Sequence, residues 1–178
     1  FNLSIEIIKI PIGLTKICEY AFSNCNNLTT VLIPKESNLQ IIESNAFKYT
    51  SITSILIPPH VKEIQDSAFS QCFKLKQVEF MENSELQIIG ANAFKDTSIL
   101  KISIPSKLEK ICESAFSGCK NLKYFTIPND SKLRSIEKDA FLNTMIYSIL
   151  IPSNLIQLNE NIFHKMNNLA KIDILPNN

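Results

Sequence analysis

The five cysteines are the side chains of this 178-residue sequence best suited to nucleophilic, redox or metal chemistry. Cys25, Cys72 and Cys119 are repeat-equivalent, and Cys18 and Cys112 occupy a second repeated position. Cysteine at a fixed place in a repeat commonly serves as a small buried hydrophobic residue. We therefore expect structural free thiols. The alternatives are a bridge from Cys18 to Cys25 or from Cys112 to Cys119, since each pair spans neighbouring corners of one repeat, and a zinc site.

A metal or catalytic site is not expected from the pattern of these residues. The sequence has no Cys-x-x-Cys pair and no clustered histidines, which are the usual signatures of a zinc site. His60 and His164 would each need a nearby thiol and a third, orienting group to form a nucleophilic pair, and the sequence offers no such constellation. Three glycines leave no phosphate-binding loop. We expect no enzymatic activity, no cofactor and no metal.

Charge and hydropathy narrow the range of partners. Eighteen basic and 17 acidic residues are well mixed and give a net charge of +1. The sequence therefore has no basic cluster of the kind that binds nucleic acid. No run of 18 apolar residues occurs, which argues against membrane insertion by this segment. Apolar residues make up 45% of the chain, which is ample for a continuous core.

A repeated Ala-Phe pair sets the architecture that must position these residues. The pair recurs at intervals that alternate between 25 and 22 residues, and a degenerate copy stands at Ile162-Phe163. Units of this size cannot bury their own apolar face, so they must stack as a solenoid. The six intact copies are Ala21-Phe22, Ala46-Phe47, Ala68-Phe69, Ala93-Phe94, Ala115-Phe116 and Ala140-Phe141.

Each unit also carries a short apolar stretch that ends at or near a proline, such as Val31 to Pro34. β-Branched residues spaced two apart before a proline are typical of a short strand. Eight such stretches predict eight parallel strands on one face. The phenylalanines should form a core ladder beneath tight, 3₁₀-like turns at the alanines.

The alternation of unit length has a counterpart in residue type. Units that carry Cys four residues after the alanine are followed by a longer polar link, whereas units that carry Thr (Thr50, Thr97 and Thr144) have a shorter one. The true period is therefore 47 residues. We expect the long links, residues 35–38, 82–85 and 129–132, to protrude as a polar comb at every second turn.

The pattern Leu-x-x-Ile-x-Ile-Pro, then Leu-x-x-Ile, then Ala-Phe-x-x-Cys-x-x-Leu resembles the BspA-like, treponemal-type leucine-rich repeats. Cys25-Asn26-Asn27-Leu28 and Cys119-Lys120-Asn121-Leu122 match this motif well. The glycine usual before the turn survives only at Ile89-Gly90. The resemblance implies a leucine-rich repeat solenoid of about seven and a half repeats of alternating 25 and 22 residues. It would have parallel β-strands on one face, and short strands, 3₁₀ and loop segments on the other.

The candidate binding surface is the face formed by the eight strands. Side chains alternate along a strand, so one residue between each inward pair points to solvent. Apolar and aromatic residues on such a face are candidate partner anchors, because aromatic residues are enriched at hot spots. Solitary exposed apolar residues are also ordinary. A second hypothesis places the partner on the long links. The candidate anchors are Leu32, Leu56, Leu100, Tyr124, Tyr147 and Leu150.

The resemblance implies a non-enzymatic adhesion or protein-binding module at the surface of a microbial cell, with a host matrix or cell-surface protein as partner. The alternatives are an intracellular (cytoplasmic) scaffold that binds an endogenous protein, and a structural spacer without a ligand. Residues 1–178 start and end partway through a repeat. We therefore expect a single solenoid domain that is a fragment of a longer chain, and end-to-end self-association is a further hypothesis.

Overall fold

The computed structural model describes residues 4–153, 155–159 and 161–174. These residues form a β-solenoid of about seven turns, and none of them lies in a helix. Each turn contributes a strand of three or four residues to one face and a strand of two residues to the other, and tight turns join the faces. The predicted leucine-rich repeat fold is confirmed.

The eight predicted parallel strands are present on the first face, which we call the strand face. Their apolar residues alternate with exposed ones, as in the burial of Ile55 and Ile57 and the exposure of Ser54 and Leu56. The inward residues of successive turns build one continuous core. The strands are β1 (Ile7–Lys9), β3 (Thr30–Leu32), β5 (Ser54–Ile57), β7 (Gln77–Phe80), β9 (Lys101–Ser103), β11 (Tyr124–Thr126), β13 (Ser148–Ile151) and β15 (Lys171–Ile174).

The second face carries seven two-residue strands in an unbroken parallel ladder, in the order in which they occur in the chain. Most present one buried isoleucine, which follows from the Leu-x-x-Ile pattern of the sequence. These strands are β2 (Lys16–Ile17), β4 (Ile41–Ile42), β6 (Glu63–Ile64), β8 (Ile88–Ile89), β10 (Lys110–Ile111), β12 (Ser135–Ile136) and β14 (Gln157–Leu158).

The ladder on the strand face is built in pairs of strands. β1 with β3, β5 with β7, β9 with β11 and β13 with β15 are joined by three or four register pairs. Between β7 and β9 the register holds only at Gln77 and Lys101. In the described residues, no ladder joins β3 to β5 or β11 to β13. Two turns therefore form one structural unit, and the hydrogen-bonded ladder of the strand face is interrupted between units.

The long links explain this pairing. Each long link follows the second strand of a pair, and its backbone bonds back to the short link of the preceding turn. The N–H of Glu85 donates to the carbonyl of Pro59 at 2.7 Å, and the N–H of Lys132 donates to that of Ser106 at 2.7 Å. The 47-residue period of the sequence is therefore the length of one two-turn unit.

The long links are exposed at most of their residues, as a polar comb requires, and each holds one buried serine. The Oγ of Ser37 and that of Ser84 each accept a hydrogen bond from the N–H of the next core leucine, Leu39 or Leu86. A hydroxyl two residues before an amide readily forms such a local turn. The serines therefore anchor the links to the core.

The phenylalanines stack along the core as predicted. Ring centroids of successive turns, from Phe22 to Phe141, lie 5.2 to 5.9 Å apart, and the ring planes are within 12° of parallel. Phe125 adds an edge contact to Phe116 and Phe141 at the C-terminal end of this ladder. The rings from Phe47 onward are fully buried, whereas Phe22 at the first turn is half-buried.

The alternating Cys and Thr residues satisfy buried backbone beside this ladder. The carbonyl of Phe94 accepts hydrogen bonds from Thr97 Oγ1 at 2.9 Å and from Cys119 Sγ, on the next turn, at 3.0 Å. On the earlier turns, Cys72 Sγ donates to the carbonyl of Phe47 at 3.0 Å and lies 3.2 Å from Thr50 Oγ1. Each Thr-Cys contact joins two residues that are 22 apart in the sequence. The alternation of Thr and Cys at this position therefore places the two members of a hydrogen-bonded pair on neighbouring turns.

The Ala-Phe turns differ in detail from the predicted 3₁₀-like geometry. Two residues in each turn are left-handed, for example Asn45 with φ 57° and Tyr49 with φ 61°. Left-handed residues interrupt the run of right-handed dihedrals that a 3₁₀ helix requires. The described residues accordingly form successive hydrogen-bonded turns, and the small, buried Ala46 lies between the two left-handed positions.

Gly90 is required by the close approach of the preceding turn. A Cβ atom at this position would lie 2.7 Å from both the backbone N and the Oδ1 atom of Asp66. The same Oδ1 accepts a hydrogen bond from the N–H of Ala91 at 2.8 Å. Other turns carry larger residues here, such as Glu43, so the constraint is particular to the turn that packs on Asp66.

Replacing Phe94 with alanine removes one ring from the middle of the buried ladder. We expect a loss of about 3–5 kcal/mol in the free energy of unfolding, because the cavity lies between two stacked neighbours. Urea denaturation measures the change. Phe73→Ala is the matched control: Phe73 is 59% exposed, and its loss should cost no more than about 0.5 kcal/mol. Equal losses in the two variants would refute the ladder as the core.

Adding one methyl group at Gly90 should destabilise the protein, because it must displace the backbone of the preceding turn. We expect Gly90→Ala to cost about 1–3 kcal/mol. Gly13→Ala is the control, since a Cβ there meets no atom within 4 Å and the substitution should be neutral or slightly stabilising. Thermal melts of the two variants distinguish this account from a general effect of glycine replacement.

Candidate functional site

Most of the candidate anchors are exposed on the strand face. Tyr124 and Tyr147 are 64% and 65% exposed, and Leu32 and Leu100 are nearly half exposed. Leu56 is 36% exposed. Outward apolar side chains of this size are therefore available to a partner along most of the face.

These residues form two groups rather than one continuous stripe. Leu32 and Leu56 lie at equivalent places on the neighbouring strands β3 and β5. Tyr124 begins β11 and Tyr147 immediately precedes β13, and these two strands also contact each other. The polar outward residues of β7 and β9 separate the groups, although Leu100 precedes β9 in this gap.

Leu150 departs from the prediction of an exposed anchor. Its register partner is Asp173, so it points outward as expected, but the side chain is half-buried. Beside it, Lys171 Nζ and Asp173 Oδ2 form an ion pair at 2.7 Å on β15. A substitution at Leu150 would therefore disturb packing as well as the surface.

A groove of about 1140 Å³ occupies the strand face where β7, β9 and β11 meet. Its floor includes Phe80, Ile102 and the candidate anchors Leu100 and Tyr124. The groove coincides with the opening between two-turn units, where β7 and β9 share one register pair. The structure thus places Leu100 and Tyr124 in a single concavity, with Leu32 and Leu56 outside it.

The long links form the walls of this groove at one end. Glu82 and Asp130 belong to two different long links, and both line it. At the other end, Lys76 and Lys101 lie at the starts of their strands. The two hypotheses of the sequence, a partner on the strand face and a partner on the links, therefore converge on one site.

Sequence reasoning did not single out Phe80, Lys76, Lys101 or the link tips as members of one site. Phe80 carries a usable signal, because the equivalent strand-end position holds isoleucine in other units, for example Ile33 and Ile127. The convergence of the link tips depends on which strands pair within a two-turn unit, and the 47-residue period does not specify that pairing.

The structure has all five cysteines as free thiols. Cys25, Cys72 and Cys119 are buried as expected, and neither of the proposed bridges is formed. Cys18 is exposed and Cys112 is half-buried, because both lie just beyond a strand of the second face. The expectation of a buried thiol is therefore wrong for Cys18.

Burial makes four of these thiols poor nucleophiles. It raises the pKa of Cys72 to about 11, that of Cys112 to about 11 and that of Cys119 to about 12. The pKa of Cys25 is raised for the same reason. Because the thiolate is the reactive form, these groups stay protonated and unreactive at neutral pH.

Both histidines face carboxylates. His60 Nδ1 lies 3.6 Å from Glu85 Oε1 and borders a polar cavity of about 450 Å³, and His164 Nδ1 lies 4.0 Å from Asp139 Oδ1. Within the described ranges, no group of three or more His, Cys, Asp or Glu side chains is placed to hold a metal ion. Likewise, no described helix is long and apolar enough to cross a membrane.

Comparison with known proteins agrees with this architecture. The family model of the BspA type leucine-rich repeat region matches residues 1–107 and 87–178, with six copies. The chain belongs to the BspA-type leucine-rich repeat family. Such repeats typically form non-catalytic scaffolds, and family and fold together indicate a protein-interaction module.

Several solved structures match this chain at low sequence identity. A leucine-rich repeat protein from Bacteroides ovatus is 21% identical, with a TM-score of 0.63, and the match covers 96% of this chain and 61% of that chain. The pneumococcal vaccine antigen PcpA is 20% identical, with 95% and 62% coverage and a TM-score of 0.49. A leucine-rich repeat protein of T. pallidum is 17% identical, with 96% and 70% coverage and a TM-score of 0.49. No curated protein matches the chain in sequence.

Thiol accessibility gives a direct test of the cysteine assignments. In the native protein at pH 8 we expect one thiol, Cys18, to react rapidly with Ellman's reagent, and five to react in denaturant. Cys112 should react slowly, since a pKa of about 11 leaves roughly a hundredfold less thiolate than an ordinary thiol has. Cys18→Ser should abolish the fast phase. Three or more fast thiols in the native protein would contradict the assignments.

Proposed function

We propose that this chain is a non-enzymatic protein-binding module of a microbial cell-surface protein, with a role in adhesion to a host matrix or cell-surface protein. The observation that carries this proposal is the strand face, where exposed aromatic and aliphatic side chains surround an open groove. Aromatic anchors at the centre of a concave surface are characteristic of protein interfaces.

The resemblance of the repeats to those of microbial adhesins supports the proposed surface location. Free cysteines are rare in oxidising compartments, because exposed thiols there tend to pair. Three of the five thiols are buried, and burial raises their pKa values, including those of Cys72 and Cys119. Such thiols persist outside the cell, so the cysteine content is compatible with a surface protein.

An intracellular scaffold is the second candidate, and the exposed thiol of Cys18 favours it. An accessible, unbridged cysteine fits a reducing compartment better than an extracellular one. Antibody labelling of intact and permeabilised cells distinguishes the two locations. Labelling of intact cells supports the surface protein, and labelling only after permeabilisation supports the scaffold.

Binding of the purified chain to a panel of matrix proteins and to host cells tests the proposed function. We expect saturable binding that the double substitution Leu56→Glu with Tyr124→Glu weakens by about tenfold or more, because charges replace two apolar anchors on the strand face. Both side chains are exposed, so thermal melts of this variant should match those of wild type.

A matched control carries the same chemical change away from the strand face. Tyr20 lies in the first Ala-Phe turn and Ile156 precedes β14 of the second face, and both are well exposed. Tyr20→Glu with Ile156→Glu should bind as wild type does. Equal weakening in the two double variants would refute the strand face as the binding surface. Absence of binding to every protein and cell type would favour a spacer.

A further inference from the structure

The groove on the strand face has opposite charges at its two ends. Lys76 and Lys101 line the end where β7 and β9 begin, and neither forms an ion pair in the described part of the chain. Glu82 and Asp130 line the end formed by the long links, where Lys107 also borders the groove. One end therefore carries a charge of +2 and the other a net charge of −1.

The apolar and aromatic side chains of the groove lie at the end that carries the lysines. Leu100 immediately precedes Lys101, and Tyr124 is the register partner of Lys101. Further along the strands the outward residues are polar, and Glu79 Oε1 already accepts a hydrogen bond from Gln77 Nε2 at 2.6 Å. An occupant that complements the groove has acidic and apolar side chains at one end and a basic side chain at the other.

The dimensions of the groove favour a chain segment over a small molecule. Residues 76–82 run along it, and six steps of extended backbone span about 20 Å at roughly 3.3 Å per residue. Small-molecule sites are commonly enclosed clefts of about 300–1,000 Å³. This groove is larger and open along one side, and a neutral glycan has no charges to pair with its two ends.

We infer that the groove binds an extended peptide segment of the partner protein, about six residues long. Acidic side chains of the segment pair with Lys76 and Lys101, and a basic side chain pairs with Glu82 and Asp130. An apolar side chain of the segment packs on Leu100 and Tyr124. This inference rests on the proposed function, and it specifies the chemistry that the binding surface recognises.

Selection from a display library of random linear 12-residue peptides on the immobilised full chain tests the inference. We expect enriched peptides with acidic residues and an apolar residue towards one end and basic residues towards the other. Fluorescence polarisation then measures their affinity for variants. Lys76→Glu with Lys101→Glu should weaken binding by about tenfold or more, since each exposed pair contributes up to about 1 kcal/mol and reversal adds repulsion.

The matched control has the same change of charge on the other side of the solenoid. Lys62 precedes β6 and Lys138 follows β12, and both are exposed. Lys62→Glu with Lys138→Glu should bind the selected peptides as wild type does, whereas Tyr124→Ala should weaken binding. Peptides that bind Lys76→Glu with Lys101→Glu as tightly as wild type would overturn the inference.

The outcomes separate this inference from the proposed function. If no peptide is enriched but the chain binds a folded protein of the panel through its strand face, the peptide inference fails and the proposed function stands. If neither peptides nor proteins bind, both fail. The inference is also overturned if the enriched peptides lack the expected charges, or if neither groove variant weakens their binding.

Discussion

Each turn of this solenoid is stabilised chiefly by the turns on either side of it. A unit of 22 or 25 residues cannot enclose its own phenylalanine, so each ring is covered by the rings of its neighbours at 5.2 to 5.9 Å. The same stacking aligns the backbone, and the N–H of Phe69 donates to the carbonyl of Ala93 on the next turn at 2.8 Å. Core, turns and both faces all depend on this contact between neighbours.

The alternating length of the units modifies that stack in a way that bears on function. A long link is held against the short link of the preceding turn, so two turns close into one unit and the strand ladder opens at the next boundary. At the boundary between β7 and β9 the opening becomes a groove, with link tips as its wall. A solenoid of identical turns would instead carry an unbroken ladder, as the second face does.

Much of this architecture could be predicted from the sequence, because its signals are local and repeated. The spacing of Ala-Phe pairs indicated the turns, and β-branched residues before a proline indicated the eight strands. The equivalence of Cys25, Cys72 and Cys119 predicted buried thiols. The grouping of strands in pairs could not be predicted, since it depends on hydrogen bonds between links of different turns. For the same reason the sequence did not show that Ser37 and Ser84 of the long links face inward.

The candidate site was accessible to sequence reasoning only in outline. Period-two alternation identified the outward residues, and five of the six candidate anchors are exposed. It did not reveal that Leu150 is half-buried beside the ion pair on β15, or that Leu100 and Tyr124 share a groove with Glu82. These facts depend on which turns lie together, and a repeat pattern treats all turns as equivalent.

We propose that a protein partner binds the strand face at the opening between two-turn units. Amide hydrogen exchange of the chain, measured alone and bound to the first protein that the panel retains, is the experiment to make first. We expect slower exchange on binding in residues 76–84 and 98–107, with little change in residues 40–43 and 62–65 of the second face. Slower exchange confined to the second face or to the Ala-Phe turns would contradict it.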